Sequence, residues 1–144
     1  MATLEEAVRA MLLSLDAVTD LVGDRIRPDI LDRSDDPPAI LVKVEDEQLH
    51  TDLDGQGGLV KAVVVIEAIA TTRIESRALE RAIRLNGTDP GSGLQGYAGL
   101  VGEFDIRCCT LARRKPFFLE RESDEDVDWY GIASFYEIEY PEPD

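Results

Sequence analysis

At 144 residues and 44% hydrophobic content, the chain has the size and apolar fraction of one folded domain, which excludes a disordered polymer. Thirty acids against fifteen bases give a formal net charge of −15, a surface that repels phosphate backbones and argues against sequence-specific nucleic-acid binding. No apolar run approaches the ~18 residues of a membrane span and no basic-then-apolar leader opens the chain, so a soluble protein made in the cytoplasm is expected.

The first helix is expected to start at Thr3, which forms a capping box with Glu6. Leu4, Ala7, Val8, Met11, Leu12 and Leu15 then recur at helical spacing. Asp16 can cap a short second turn carrying Val18, Leu21 and Val22, with Gly23 as the stop. Arg25-Ile26-Arg27 reads as a brief extended piece, and residues 29–38 as a polar loop closing on Pro37-Pro38. A strand is predicted from Ala39 to about Glu47, with Ile40, Val42 and Val44 on one face. The polar, Gly-rich loop 50–58 leads into the longest β-rich run, Leu59 to Ala70. That run is apolar on both faces around Val63-Val64-Val65-Ile66 and so reads as a central strand.

A second capping box, Thr72 with Glu75, opens the next helix. Ile74, Ala78, Ala82 and Leu85 are expected to form its apolar stripe, flanked by Leu79 and Ile83, and Asn86-Gly87 to end it. Glu80 and Arg84 form an i, i+4 pair of the kind worth ~0.2–0.5 kcal/mol on a helix surface. Residues 87–99 read as a glycine-rich connector, about Leu100 to Arg113 as a strand, 114–128 as a long acidic loop, and Trp129 to Tyr140 as a last strand before a frayed acidic tail, 141–144. The sum is a single α+β domain over 1–144. Its plan is helix-strand-strand-helix-strand-strand: a mainly antiparallel sheet of four to five strands with two helices packed on it.

Searches for chemistry return little. His50 is the sole histidine and no serine sits in a G-x-S-x-G elbow, so a nucleophile–base pair has no evident members. Cys108 and Cys109 are adjacent in an alternating segment and read as two small strand residues facing opposite ways, with no disulfide or C-x-x-C metal pair. Gly91-Ser92-Gly93-Leu94-Gln95-Gly96 matches G-x-G-x-x-G, but a helix precedes it and a strand follows. A dinucleotide site needs the reverse order, so a flexible connector is the reading. Asp124, Asp126 and Asp128 begin like an EF-hand loop, yet Trp129 and Phe135 occupy the sixth and twelfth positions. Placing Gly55 at the sixth position of such a loop puts Lys61 at the twelfth. No catalytic set, cofactor or metal site is expected, and the chain reads as a non-enzyme. Arg113-Arg114-Lys115 is the one basic cluster; with Phe117 and Phe118 after it, it suits an anchor into an acidic partner.

The charge admits two further readings. An acidic surface suits a channel through which DNA slides without sticking. It also suits a salt-rich cytoplasm, where screening over ~3 Å at 1 M removes self-repulsion. Lysine is confined to Lys43, Lys61 and Lys115, which leans toward the halophilic reading.

Several segments, in order, resemble the tail-completion (tail-terminator, tail-to-head joining) family of long-tailed phages and related archaeal viruses. They are Val22-Gly23-Asp24-Arg25-Ile26-Arg27-Pro28 after the first helix, Ala39-Ile40-Leu41-Val42, Leu53-x-Gly55-x-x-Gly58-Leu59, Val63-x-Val65, and Ala70-x-Thr72-x-x-Glu75-x-x-x-Leu79. The closing strand with alternating aromatics fits as well; Ile69 departs from the aromatic often found there, and 87–128 matches little. The resemblance implies a virion structural protein at the tail–neck junction, assembled in the host cytoplasm. It would form a homo-oligomeric ring of six that caps the tail tube, stops polymerisation, meets the tail tube protein on one face and a head-closure or neck protein on the other, and lets DNA through its lumen. A head-closure or other neck protein is the neighbouring reading, and a small dimeric α+β ligand-binding domain the reading from another class. Candidate assembly contacts are His50, Asp52, Asp54 and Gln56 in one loop, and Arg113, Arg114, Lys115, Phe117 and Phe118 in the other, 113–128.

Overall fold

The computed structural model describes residues 3–31, 36–51, 58–87, 91–120 and 128–142. Helix α1 (Leu4–Leu13) starts at the expected capping box: the Thr3 hydroxyl accepts from the Glu6 N–H at 3.2 Å. The short turn foreseen at Asp16 is a full helix, α2 (Asp16–Val22), so the described residues hold three helices against the two expected. Its N-cap is Leu15, which has no side-chain cap bond to offer. The donor at Ala17 is satisfied from far away in sequence, by Asn86 Oδ1 at 3.1 Å. Gly23, at φ 60, stops the helix. Helix α3 (Arg73–Leu85) opens on the Thr72 hydroxyl, which accepts from Glu75 N–H at 3.1 Å, and ends on left-handed Asn86.

Among the described residues seven strands accompany them: β1 (Ile26–Pro28), β2 (Ala39–Thr51), β3 (Gly58–Ala70), β4 (Gly99–Val101), β5 (Phe104–Ile106), β6 (Cys108–Leu119) and β7 (Trp129–Pro141). The main sheet has the order β1-β2-β3-β7-β6, and β4-β5 is a separate hairpin. β1 runs parallel to β2 and every other neighbour is antiparallel, so the chain is α+β with a mixed five-stranded sheet. Bulges interrupt β2 between Val44 and Asp46 and β6 between Leu111 and Arg113.

Three sequence expectations shift here. The strand foreseen from Leu100 to Arg113 is broken at Gly102, whose φ of 58 lets β4 turn back onto β5. Its second part, β6, then runs on through Pro116 to Leu119, where a loop was expected. Pro116 is tolerated because β6 is the sheet's edge strand. Residues 141 and 142, expected within a frayed tail, are held in the sheet: Pro141 pairs with Leu59, and the Glu142 N–H donates to the Gly58 carbonyl at 2.8 Å.

Alternation along β3 and β7 sends Val60, Ala62, Val64, Ile66 and Ala68, with Tyr136, Ile138 and Tyr140, to one face. All three helices and the β4–β5 hairpin pack there, in a core that joins Leu12, Val18, Leu79, Ile83 and Phe104 to those strand residues. Each fully buried Leu or Ile contributes ~1.5–3 kcal/mol relative to exposure. Among the described residues no helix or strand covers the opposite face. There Leu41, Val65, Ile69 and Ala133 are shielded mainly by their neighbours within the sheet.

Helix α3 lies rotated from the expected stripe. Ile74 is 83% exposed and Ala78 is also exposed, while the buried side is Ser76, Leu79, Glu80, Ala82 and Ile83. A carboxylate on the buried side is possible because it is paired: Glu80 accepts from Arg84 Nε at 2.9 Å and from an Arg114 guanidinium nitrogen at 3.2 Å.

Candidate assembly surfaces

The sequence-predicted basic cluster is strand, and a strand sends successive side chains to opposite faces. Arg113 and Lys115 therefore point to the open face and Arg114 to the helix face, so the three do not act as one patch. The Arg113 guanidinium lies 4.1 Å from the Phe135 ring centroid. Arg114 is committed within the chain, to Glu80. Lys115 rims a shallow concavity of about 420 Å³ on the open face, floored by Val65, Phe117, Ala133 and Phe135 and edged by Lys43, Glu45 and Glu67. Lys43 and Glu67 form an ion pair at 3.7 Å across that rim.

Phe117 lies over Gly131 on the neighbouring strand; a Cβ at Gly131 would collide with its ring. The ring thus fills the space that a glycine leaves in a strand. Phe118, which is 48% exposed, packs a ring at 5.2 Å from Tyr130. Arg73 ties this end of the edge strand to α3. It donates to the Gly131 carbonyl at 2.8 Å and the Phe117 carbonyl at 3.0 Å, with its guanidinium 5.2 Å from the Tyr130 centroid. His50 lies in β2 opposite Leu59. Asp52, Asp54 and Gln56 lie outside the described residues, as does the whole acidic run 121–127.

The glycine-rich segment read as a flexible connector is, over 91–97, a packed plug. Leu94 is fully buried and its N–H donates to the Ile83 carbonyl at 2.9 Å. Gln95 Oε1 accepts from Leu111 N–H at 2.6 Å, and Gly96 N–H donates to the Cys109 carbonyl at 2.8 Å. This covers the first third of the β6 edge. Only the lone leucine among glycines hinted at it.

Electrostatics disfavour thiol chemistry. Burial pushes the Cys109 thiol up to about 12, with Cys108 adding to the shift, so it holds its proton at neutral pH. Tyr140 is likewise pushed up to about 12, by burial first and then by Glu47, Glu142 and Glu5. Tyr136 is raised by burial, with the charge of Glu80 adding to it. The Glu80 hydrogen bond raises Arg84 against the opposing effect of burial. Among the described residues no three His, Cys, Asp or Glu side chains cluster as metal ligands would. No helix there is long and apolar enough to cross a membrane.

What remains is a two-layer domain with one sheet face open and both sheet edges partly free. A chain in the virion of a native gene transfer agent (GTA) particle has a similar fold. The two superpose with a TM-score of 0.62 over 96% of this chain and 95% of that one, at 17% sequence identity. No protein-family model and no curated protein matches the sequence. At that identity the likeness speaks to the fold, over nearly the whole of both chains.

Proposed function

We propose that this chain is a structural subunit of a tailed, phage-like particle. It closes into a ring on the last ring of the tail tube, ends tube growth and joins the tail to the capsid neck. The carrying observation is the fold shared end to end with a chain of a gene transfer agent virion. The ordered resemblance to tail-completion proteins, from Val22 to Leu79, supports the finer assignment. Its action is interfacial and not catalytic: a closed ring leaves no growing edge. A net charge of −15 suits a lumen that DNA crosses without adhering.

Light scattering on the purified chain at low and at molar salt tests the ring. Six copies of a 16.0 kDa chain give a species of about 96 kDa. A stable dimer in both conditions would overturn the ring and favour a small binding domain. Adding the protein to polymerising tail tube protein separates the terminator from another neck protein: a terminator arrests tubes at their growing end, and a head-closure protein leaves tube length unchanged.

A further inference from the structure

The two sides of the sheet are complementary. On the β2 side, β1 occupies only the first few residues, pairing with Ile40, Leu41 and Val42 and placing the Asp29 N–H on the Val42 carbonyl. From Lys43 onward, among the described residues, no strand lies beside β2 on that side. On the β6 side, Gln95 and Gly96 occupy Leu111 and Cys109, and among the described residues no strand lies beside 112–119. The first open stretch carries Glu45, Asp46 and Glu47; the second carries Arg113, Arg114 and Lys115. All six are exposed. Among the described residues Arg113 and Lys115 form no ion pair with a carboxylate, and Glu45 and Asp46 form none with a cation. Each stretch also contains a bulge, at Glu45 in β2 and at Ala112 in β6, which bends the strand and breaks its regular run.

We propose that consecutive copies of this chain join head to tail through these two edges, residues 112–115 of one copy against 43–48 of the next, with Arg113 and Lys115 set against Glu45 and Asp46. The proposal rests on the ring reading above and names the contact that would build it.

Direction, charge and symmetry agree. The full-length strands β2, β3, β7 and β6 alternate in direction, so β6 runs opposite to β2. A copy rotated about an axis along the strands therefore presents its β2 antiparallel to β6 without being inverted. In that pairing the order 113, 114, 115 runs against 48, 47, 46: on the open face Lys115 lies opposite Asp46 and beside the bulged Glu45, with Arg113 diagonal to Asp46, and on the helix face Arg114 lies opposite Glu47. Lys43 and Arg113 lie level across the sheet, through Val65 and Phe135. The match consequently needs a stagger of three to four residues, roughly 10–13 Å at ~3.3 Å per residue. Staggered strands are what closing a sheet requires. Pro116, with no N–H to give, ends the pairing on one side.

The same charges explain why the edges would not pair at random. β2 against β2 sets three acids on three acids, and β6 against β6 sets three bases on three bases. Two-fold pairing of like edges is thereby disfavoured, and head-to-tail pairing, which closes into rings, is left.

A charge-swap series tests this. One variant carries Arg113→Glu with Lys115→Glu, the other Glu45→Lys with Asp46→Lys; Arg114 is left alone because it holds Glu80. All four positions are exposed, and far-UV circular dichroism checks that each variant is folded. Masses are measured by sedimentation at ~0.15 M salt, where surface charges still act over ~8 Å. The expected result is an oligomeric wild type, each variant alone reduced to monomer, and a combined four-fold variant (both reversals in one chain) restored to the wild-type size. Oligomers unaffected by either reversal would overturn the edge pairing and leave the ring standing. Reversals that break the oligomer without rescue in the combined variant would also overturn it, by showing that the charges do not face each other. A wild-type chain that stays monomeric at every concentration would overturn the ring reading and this pairing with it.

Discussion

Replacing Glu80 with alanine tests how this buried carboxylate holds the helix layer to the edge strand. The Glu80 side chain is 3% exposed and receives two charge-assisted hydrogen bonds, at 2.9 Å from Arg84 and 3.2 Å from Arg114. Bonds to charged groups contribute ~1.5–3 kcal/mol each when intact. Removing one partner of a fully buried pair costs ~3–5 kcal/mol. Here the two arginines are 26% and 47% exposed, so both regain water when the carboxylate leaves. Alanine also favours the helix by a few tenths of a kcal/mol. The expected loss for Glu80→Ala is therefore about 2 kcal/mol, below the fully buried range. Glu80→Gln, which keeps one acceptor and the packing, should lose about half of that. In urea, with a slope of ~1–3 kcal/mol/M, the alanine variant's midpoint should fall by about 1 M. A double-mutant cycle with Arg114→Ala should give a coupling of ~0.5–1 kcal/mol that shrinks in high salt. A midpoint unchanged in Glu80→Ala, with zero coupling to Arg114, would refute the claim that this triad fastens α3 to β6.

Three further outcomes follow from the packing. Gly131→Ala drives a Cβ into the Phe117 ring, so the ring must leave its place; a loss of ~1–3 kcal/mol in urea unfolding is expected, and Phe117→Ala in the same background should recover part of it. Ile83→Ala empties a site that is 1% exposed and should cost ~2–5 kcal/mol, whereas Ile74→Ala, at 83% exposure, should change stability by less than ~0.5 kcal/mol; equal losses at both positions would contradict the rotation of α3. The unfolded chain releases the Cys109 proton near 9.0 and the Tyr140 proton near 10.0, while the folded chain keeps both to about 12. The unfolded state then binds fewer protons, so stability must fall as pH rises from about 9 to about 12, and a Tm that stays flat across that window would contradict the burial of these groups.

The parts of this fold that were legible in the sequence are those decided by near neighbours. Both capping boxes, at Thr3 and Thr72, involve residues three apart, and both are formed. Alternation from Ala39 and in Ile132 to Tyr140 marks β2 and β7, because burying one sheet face needs nothing beyond period two, and the continuous apolar run Val63 to Ile66 marks β3 as a central strand. The errors fall where a distant residue decides. The α3 stripe was misplaced because Ser76 and Glu80 read as surface residues, while Arg114, 34 positions on, makes a buried carboxylate tolerable. The start of α2 departs from the Asp16 cap that the local pattern suggests because the Ala17 N–H finds its acceptor in Asn86, 69 positions away. The continuation of β6 past Arg113 is hidden because a proline and an acidic run follow in sequence, and only the sheet order reveals an edge strand where Pro116 does no harm. The candidate contacts divide in the same way. Arg113 and Lys115 were visible as bases in an acidic chain, yet their pairing with Glu45 and Asp46 depends on the opposite edges of a sheet whose order no local pattern encodes. A surface that works between copies is read from topology, and the sequence can only nominate its charges.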